Sequence, residues 1–318
     1  MPAIMTKTAT MKAVRIHSFG GPEVLSLEEV PTPEPKPDEV LVRVHAAGVN
    51  PADWKFREGL LGKIPLPAIM GSDFSGEIEV LGSGVKDFRV GESVFGVVAE
   101  ESGGYAEYAV APAYQVIEKP ASLSHLEAAG LPIASLTAWQ ALFDVVRLEP
   151  GQKVLIHAAA GGVGSFAVQF AKCKGAYVIG TTSAQHAAFV RQLGADETID
   201  YRATRFEDVV REVDAVVDTI GGDTQTRSWK VLKRGGVLVS TVQPPPQEAA
   251  AAHGVRGEFL ICKHKRKDEL AEIAGLVTKG QIKVFIAATL PLREARKAQE
   301  LSQSGHTQGK IVLQVAGL

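Results

Sequence analysis

Cysteine is scarce in this chain, with 2 in 318 residues, Cys173 and Cys262. Two distant thiols exclude a disulfide framework and a four-cysteine zinc site. An excess of one charge sign is missing too. Lys plus Arg is 34 and Asp plus Glu is 36, for a formal net charge of -2. That balance supplies no general pull toward nucleic acid or an anionic membrane. No apolar run reaches the roughly 18 residues of a spanning helix. Residues 1–10 lack the apolar stretch of a secretory signal and read as a loose leader before the MKAVRI start at Met11. These absences point to a cytoplasmic, reducing location. The composition itself is globular, 45% hydrophobic and 22% charged. The length suits two domains of about 150 residues, each able to bury a core unaided.

The first part of the chain is strand-like. Residues 40–46 (VLVRVHA) alternate, with Val40, Val42, Val44 and Ala46 on one face and Arg43 and His45 on the other. A proline-rich connection precedes them. Residues 77–81, 93–98 and 105–110 are further short strands between glycine-containing turns. The pattern predicts an antiparallel, partly barrel-like domain. After about His125 strands alternate with helices. Strands are expected at 153–157, 177–181, 198–201, 215–220, 237–242 and 258–262. Helices are expected at 162–174, 184–193, 206–213 and 225–232. This rhythm predicts a doubly wound parallel sheet, covered on both faces. Residues 243–254 (QPPPQEAAAAHG) read as a mobile loop, and 268–280 as an amphipathic helix. The chain closes on a strand at 310–315, and these last pieces are expected to rejoin the first domain.

After the strand at 153–157 comes Ala158-Ala159-Ala160-Gly161-Gly162-Val163-Gly164. This is A-x-G-x-x-G, between a strand and a helix, the context in which a dinucleotide fingerprint carries weight. Gly161 lets the backbone approach a pyrophosphate. Gly164 lets the helix pack on the strand, and the amides at the helix start face the anion. Ala160, Gly161, Gly162, Val163 and Gly164 are therefore candidate cofactor residues. The second strand runs out at Thr181-Thr182-Ser183 with no acid to repel a 2′-phosphate. Thr182, Ser183, His186 and Tyr201 are candidates for that end of the cofactor, which favours NADPH over NADH. Ligands sit at the carboxyl ends of parallel strands, so Thr219, Ile220 and Gly221 belong near the nicotinamide.

Six segments, in this order, carry a family likeness: residues 46–53 (AAGVNPAD), 71–76 (GSDFSG), 103–108 (GGYAEY), 136–138 (LTA), the glycine turn, and 307–312 (TQGKIV). From about Met11 to Val315 the chain resembles the medium-chain dehydrogenase/reductase superfamily. Within it, the chain is similar to the zinc-independent quinone oxidoreductases, the zeta-crystallin-like group. The resemblance implies a Rossmann domain at 128–263 and a GroES-like catalytic domain made of 11–127 and 264–318. It implies a homodimer pairing edge strands around 237–242 and 258–262. It places Asn50 at the nicotinamide and substrate end, with Thr137 beside the nicotinamide ribose. Val242, Phe259 and Leu260 are pocket candidates by similarity, with core packing as the other reading of Val242 and Phe259. Gly309 and Lys310 match the closing motif; Lys310 then meets substrate or cofactor, unless it is a solvated surface lysine. Trp54 and Phe56 line the quinone side of the cleft or belong to the domain core.

The superfamily's alcohol dehydrogenases hold a catalytic zinc through Cys, His and Cys, with a nearby Glu. Here Asn50 occupies the first position, Ser72-Asp73 replaces the His-Glu pair, and the last ligand falls near Ile133 or Ala134. No zinc site is expected from this set. Without a Lewis acid the acceptor must already be electrophilic. Quinones meet that need, and so do enals and enones reduced at the carbon-carbon double bond. A non-catalytic NADPH-binding sensor or structural protein is the reading from another class. Cys173 and His45 read as structural residues, and the basic run 263–267 as a solvated lead-in to a helix.

Overall fold

The computed structural model describes residues 10–315. Its strands are β1 (Thr10–Ile16), β2 (Ser26–Pro31), β3 (Glu39–Val49), β4 (Ala68–Ile69), β5 (Asp73–Leu81), β6 (Ser93–Val97), β7 (Tyr108–Pro112) and β8 (Val116–Glu118), then β9 (Lys153–Ile156), β10 (Tyr177–Thr182), β11 (Glu197–Asp200), β12 (Val213–Asp218), β13 (Leu232–Ser240), β14 (Arg256–Phe259), β15 (Ile286–Pro291) and β16 (Lys310–Gln314). Four helices frame the site: α1 (Pro51–Arg57), α2 (His125–Ala129), α3 (Pro132–Trp139) and α4 (Gly162–Cys173).

Two larger sheets organise the molecule. One has six strands in the order β11-β10-β9-β12-β13-β14, and every pairing in it is parallel. Strands such as KVLI in β9 and VDAVVD in β12 are buried along nearly their whole length, as a sheet covered on both faces requires. The strand order reverses beside β9, which opens a crevice at the carboxyl ends. The other sheet runs β15-β16-β3-β5-β6-β8, with β7 also paired to β3. It is antiparallel except for the β15/β16 pair. The last two strands thus join this sheet, β16 pairing with β3 and β15 with β16. A smaller sheet, β2-β1-β4, packs alongside. The fold is α/β, a Rossmann sheet joined to a GroES-like antiparallel unit.

Several expectations change. Thr10 is the first residue of β1, so it is not part of a leader; residues 1–9 lie outside the described residues. The stretch expected to be a mobile loop contains a helix, Gln247–His253. Its Ala249–Ala252 run is the best helix-forming composition available, and Gly254 closes it at φ 65. The helix expected at 206–213 is a single turn, Phe206–Val209, and Val210 is already extended. The alternation along β3 is broken: Val44 pairs with Gly76 and Ala46 with Ser75, so His45 is an extra residue in a bulge. Val40, Val42 and Val44 accordingly share one core cluster while Ala46 joins Ala129 and Val312 in another. The basic run is absorbed locally, with Lys265 over Tyr114, Lys267 over Phe88 and Arg266 near Asp144.

Candidate active site

Asn50 follows β3 as the N-cap of α1 and precedes Pro51, which starts that helix with its φ preset. Its backbone N–H donates to Asp53 Oδ2 at 2.8 Å. Its side-chain Nδ2 donates to Asp73 Oδ2 at 2.8 Å, and its Oδ1 accepts from Lys310 Nζ. Lys310 also donates to the Val49 carbonyl at 3.1 Å and lies 3.9 Å from Asp73 Oδ2. Tyr105 donates its hydroxyl to Asp53 Oδ2 at 2.7 Å. Asp73 Oδ1 accepts from the Ile133 N–H at the start of α3. All five side chains are buried, so Lys310 is no solvated surface lysine. Asp53, Asp73 and Tyr105 complete this cluster; each stands in a matched sequence segment, but only the fold shows that they converge.

The electrostatics follow from burial. Burial pushes Asp53 up to about 7, against the hydrogen bonds from Asn50 and Tyr105. Asp73 is raised by burial and held back by Lys310 and Asn50. Lys310 is lowered by burial, with Asp73 and Asp53 opposing. The cluster is a compact, desolvated arrangement of one ammonium, one carboxamide, one phenol and two carboxyls.

The closing motif ties this cluster to the glycine turn. Gly309 forms an isolated bridge with Gly161, and its N–H donates to the Ala160 carbonyl at 2.8 Å. Gly309 has φ 90, and a Cβ there would lie 2.3 Å from the Phe285 carbonyl oxygen. Gly162 sits against Lys310, whose Cδ would be 3.1 Å from an added Cβ. Gly164 is needed for packing, because a Cβ would meet the Ala158 oxygen at 2.2 Å. A Cβ added at Gly161 would meet, among the described residues and apart from its chain neighbours, only that same oxygen at 3.3 Å, which leaves the backbone face open to a bound anion. This cradle, at the start of the 12-residue α4, fits a dinucleotide pyrophosphate.

The remaining candidates gather at the carboxyl ends of the parallel strands. Thr182 and Ser183 are buried at the end of β10. His186 Nδ1 lies 3.0 Å from Gln308 Oε1, another link to the closing motif. Tyr201 follows β11, half exposed, its N–H donating to the Thr182 carbonyl. Thr219 donates to the His157 carbonyl at 3.1 Å. Ile220 is exposed, and Gly221 has φ 77. Val242 Cγ1 would be 3.3 Å from a Cβ on Gly221, so the two loops abut. Phe259 is 40% exposed at the end of β14, so it is not core, whereas Leu260 is buried. Val163 opens α4 and packs against the large core cluster. Thr137 is buried in α3 and spends its hydroxyl proton on the Ile133 carbonyl. Phe56 packs into the core beneath α1; the Trp54 indole nitrogen is buried without a hydrogen-bond partner among the described residues.

Sequence reasoning missed Asp218. Its Oδ1 accepts from the Ile220 and Gly221 N–H groups at 3.0 and 2.8 Å, and its Oδ2 from Gln225 at 3.1 Å. It shapes the loop after β12, and an acid ending an apolar strand was the available signal.

A catalytic zinc does not fit these residues. Both polar atoms of Asn50 are committed, Ile133 and Ala134 offer no side-chain donor, and the Lys310 ammonium already lies beside Asp73. Metal ligation needs several lone pairs converging on one point, and here a cation's partners are taken up by an ammonium.

Comparisons with known proteins agree with this architecture. The family model described as alcohol dehydrogenase GroES-like domain matches residues 36–121, and the one described as zinc-binding dehydrogenase matches residues 193–313. The quinone oxidoreductase of Mus musculus is 34% identical, covering 95% of this chain and 97% of its own length. The structure of the quinone oxidoreductase from Coxiella burnetii superposes with a TM-score of 0.92 at 38% identity, over 96% of this chain and 100% of that one. Escherichia coli quinone oxidoreductase complexed with NADPH gives 0.89 at 31% identity, over 95% and 99%. The chain belongs to the quinone oxidoreductase family of the medium-chain dehydrogenase/reductase superfamily.

Proposed function

We propose that this protein is an NADPH-dependent quinone oxidoreductase that works without a catalytic metal. The observation that carries the reading is the joint between Gly309 and the glycine turn, which sets the Asn50–Lys310 pair beside the cofactor cradle. The names of the Mus musculus and Escherichia coli relatives support the acceptor and the cofactor.

NADPH supplies the hydride when bound. Gly161, Gly162 and Gly164 give the pyrophosphate its backbone cradle, with Ala160 and Val163 at the turn's edges. Thr182, Ser183, His186 and Tyr201 receive the adenosine end, with no carboxylate at the tip of β10 to repel a 2′-phosphate. Thr219, Ile220, Gly221, Val242, Phe259 and Leu260 form the wall toward the nicotinamide. Asn50 and Thr137 stand at the reacting end. Reduction of a quinone builds negative charge on oxygen, and a buried ammonium at Lys310 favours that charge far more than solvent water does. Asn50 orients the ammonium. The protein's work is thus positioning, exclusion of water and charge stabilisation.

Three further statements belong to this proposal. The domain division is 11–127 with 264–318 as the catalytic unit and 128–263 as the cofactor unit. The location is cytoplasmic, supported by two unpaired thiols and near-neutral charge; no helix among the described residues is long and apolar enough to cross a membrane. The protein is a homodimer whose contact includes β14, an edge strand with Ile261 exposed beyond it. The other strand expected at that contact, β13, lies between β12 and β14 and is not an edge. A monomeric mass at micromolar concentration would rule the dimer out.

The deciding experiment follows NADPH absorbance with a panel of quinones and enones, with a metal chelator present and with NADH in parallel. Chelator-resistant oxidation of NADPH by quinones is expected. Faster turnover of enones would reassign the protein to alkene reduction. Binding of NADPH with no turnover of any acceptor would make it a sensor.

A further inference from the structure

His45, Glu77 and His125 come together on the GroES-like sheet, and none of the three is among the residues assigned to hydride transfer. One ligand atom from each lies within 4.8 Å of the other two. His45 is the bulged residue of β3, and a bulge re-aims a side chain. His125 is the first residue of α2. The two imidazoles stack with centroids 4.4 Å apart and planes at 11°.

The hydrogen bonds fix which nitrogens are available. Ser75 Oγ has one proton and donates it to the Val94 carbonyl at 3.0 Å. With that proton so placed, the ring donates from Nδ1 to Ser75 Oγ at 2.8 Å, and Nε2 keeps its lone pair. A ligating histidine held by a second partner through its other nitrogen is the usual arrangement at metal sites. The Nε2 of His45 is buried with no hydrogen-bond partner among the described residues and lies 3.8 Å from Glu77 Oε2. A buried polar atom left without a partner is costly unless something satisfies it. Glu77 also pairs with Arg43, and its side chain stays 32% exposed, so solvent ions can reach the site. Burial, then the nearby His45 and Lys119, push His125 down to about 4, and burial lowers His45 as well.

We propose that His45, Glu77 and His125 bind one divalent transition-metal ion of borderline softness, zinc being the best match to two imidazoles and a carboxylate. The ion clamps α2 to β3 and β5 and takes no part in hydride transfer. Binding turns the stacked rings so that both nitrogens and the carboxylate converge on the ion at about 2.0–2.2 Å. The proposal stands whether or not the acceptor is a quinone.

The test uses the full chain stripped with a chelator and titrated with Zn²⁺ by calorimetry, with thermal unfolding in parallel. One equivalent is expected to bind and to raise Tm. His125→Asn and Glu77→Gln each weaken binding by at least about tenfold, and Ser75→Ala by about 10–100-fold through loss of the ring's anchor. NADPH binding by His125→Asn and Glu77→Gln is unchanged. Absence of saturable binding, or one-equivalent binding undiminished in both His125→Asn and Glu77→Gln, overturns the proposal. Should His125→Asn fail to fold, the half-exposed Glu77→Gln decides it alone.

Discussion

Lys310 Nζ donates to Asn50 Oδ1 across 260 residues of sequence, joining the last strand of the chain to the end of β3. Every group around this bond is buried, and the ammonium is also the counter-charge for Asp73. The pair connects the fold to the chemistry, because Gly309, the preceding residue, is bonded to the glycine turn.

Lys310→Met keeps much of the stem but removes the charge. Asn50 Oδ1 then loses its donor and Asp73 its cation. Bonds to charged groups contribute about 1.5–3 kcal/mol, so denaturant unfolding should show a loss of that order. If the ammonium also stabilises the developing oxyanion, kcat/KM for a quinone falls at least about tenfold, since each tenfold corresponds to about 1.36 kcal/mol. A stability loss with unchanged kcat/KM would assign Lys310 a structural role only.

Two glycines three residues apart should respond differently. In Gly164→Ala the new methyl meets backbone at 2.2 Å, and overpacking of this kind costs about 1–3 kcal/mol. Its Tm should fall. Gly161→Ala has room within the protein, so its Tm stays near wild type while the KM for NADPH rises, because the methyl occupies the pyrophosphate's side of the turn. Unfolding curves and steady-state kinetics on both variants check the contrast.

Cofactor choice should be set at the end of β10. Ser183→Asp puts a carboxylate where a 2′-phosphate would lie and where a ribose hydroxyl could donate. The ratio of kcat/KM for NADPH to that for NADH should drop at least about tenfold, which corresponds to about 1.36 kcal/mol. An unchanged ratio would move the 2′-phosphate contact elsewhere.

Asp53 has a definite pH signature. Burial raises it from 3.8 in the ordinary state to about 7 in the fold. Between those values the folded state holds more protons than the unfolded one, so stability declines as pH rises from about 4 through 7. Asp53→Asn removes this component. The wild type should lose more stability than the variant over that window, measured by denaturant unfolding at several pH values. Parallel curves for the two proteins would contradict the burial-driven shift.

The loop after β12 depends on Asp218. Asp218→Ala leaves the Ile220 and Gly221 N–H groups without their acceptor, while the Gln225 amide keeps only its bond to the Gln243 carbonyl. Unsatisfied buried groups cost about 1–3 kcal/mol each. Loss of stability together with a raised KM for NADPH is expected, read from unfolding and initial rates.

Much of the fold was legible because its signals are local. The alternation of strand and helix after His125 predicted the parallel sheet, and the glycine turn around Gly161 does stand between a strand and a helix as read. Local reading failed where competing signals met. Three prolines hid the helix Gln247–His253 although Ala249–Ala252 favoured it. The valines of the 206–213 stretch ended a helix after one turn. Asn50 and Lys310 were recognised through motifs, but nothing in either segment says that they touch.

The sequence by itself determined the class of fold, the glycine cradle and the absence of an acid at the tip of β10, since each depends on neighbours within a few residues. Only the tertiary structure decided the rest. It placed β16 beside β3 and so buried Lys310 against Asn50 and Asp73. It brought His125 onto the bulge at His45, and it put β14 rather than β13 at the sheet edge. These are long-range pairings, fixed by how whole sheets bury their apolar faces, and no short window of sequence contains both partners.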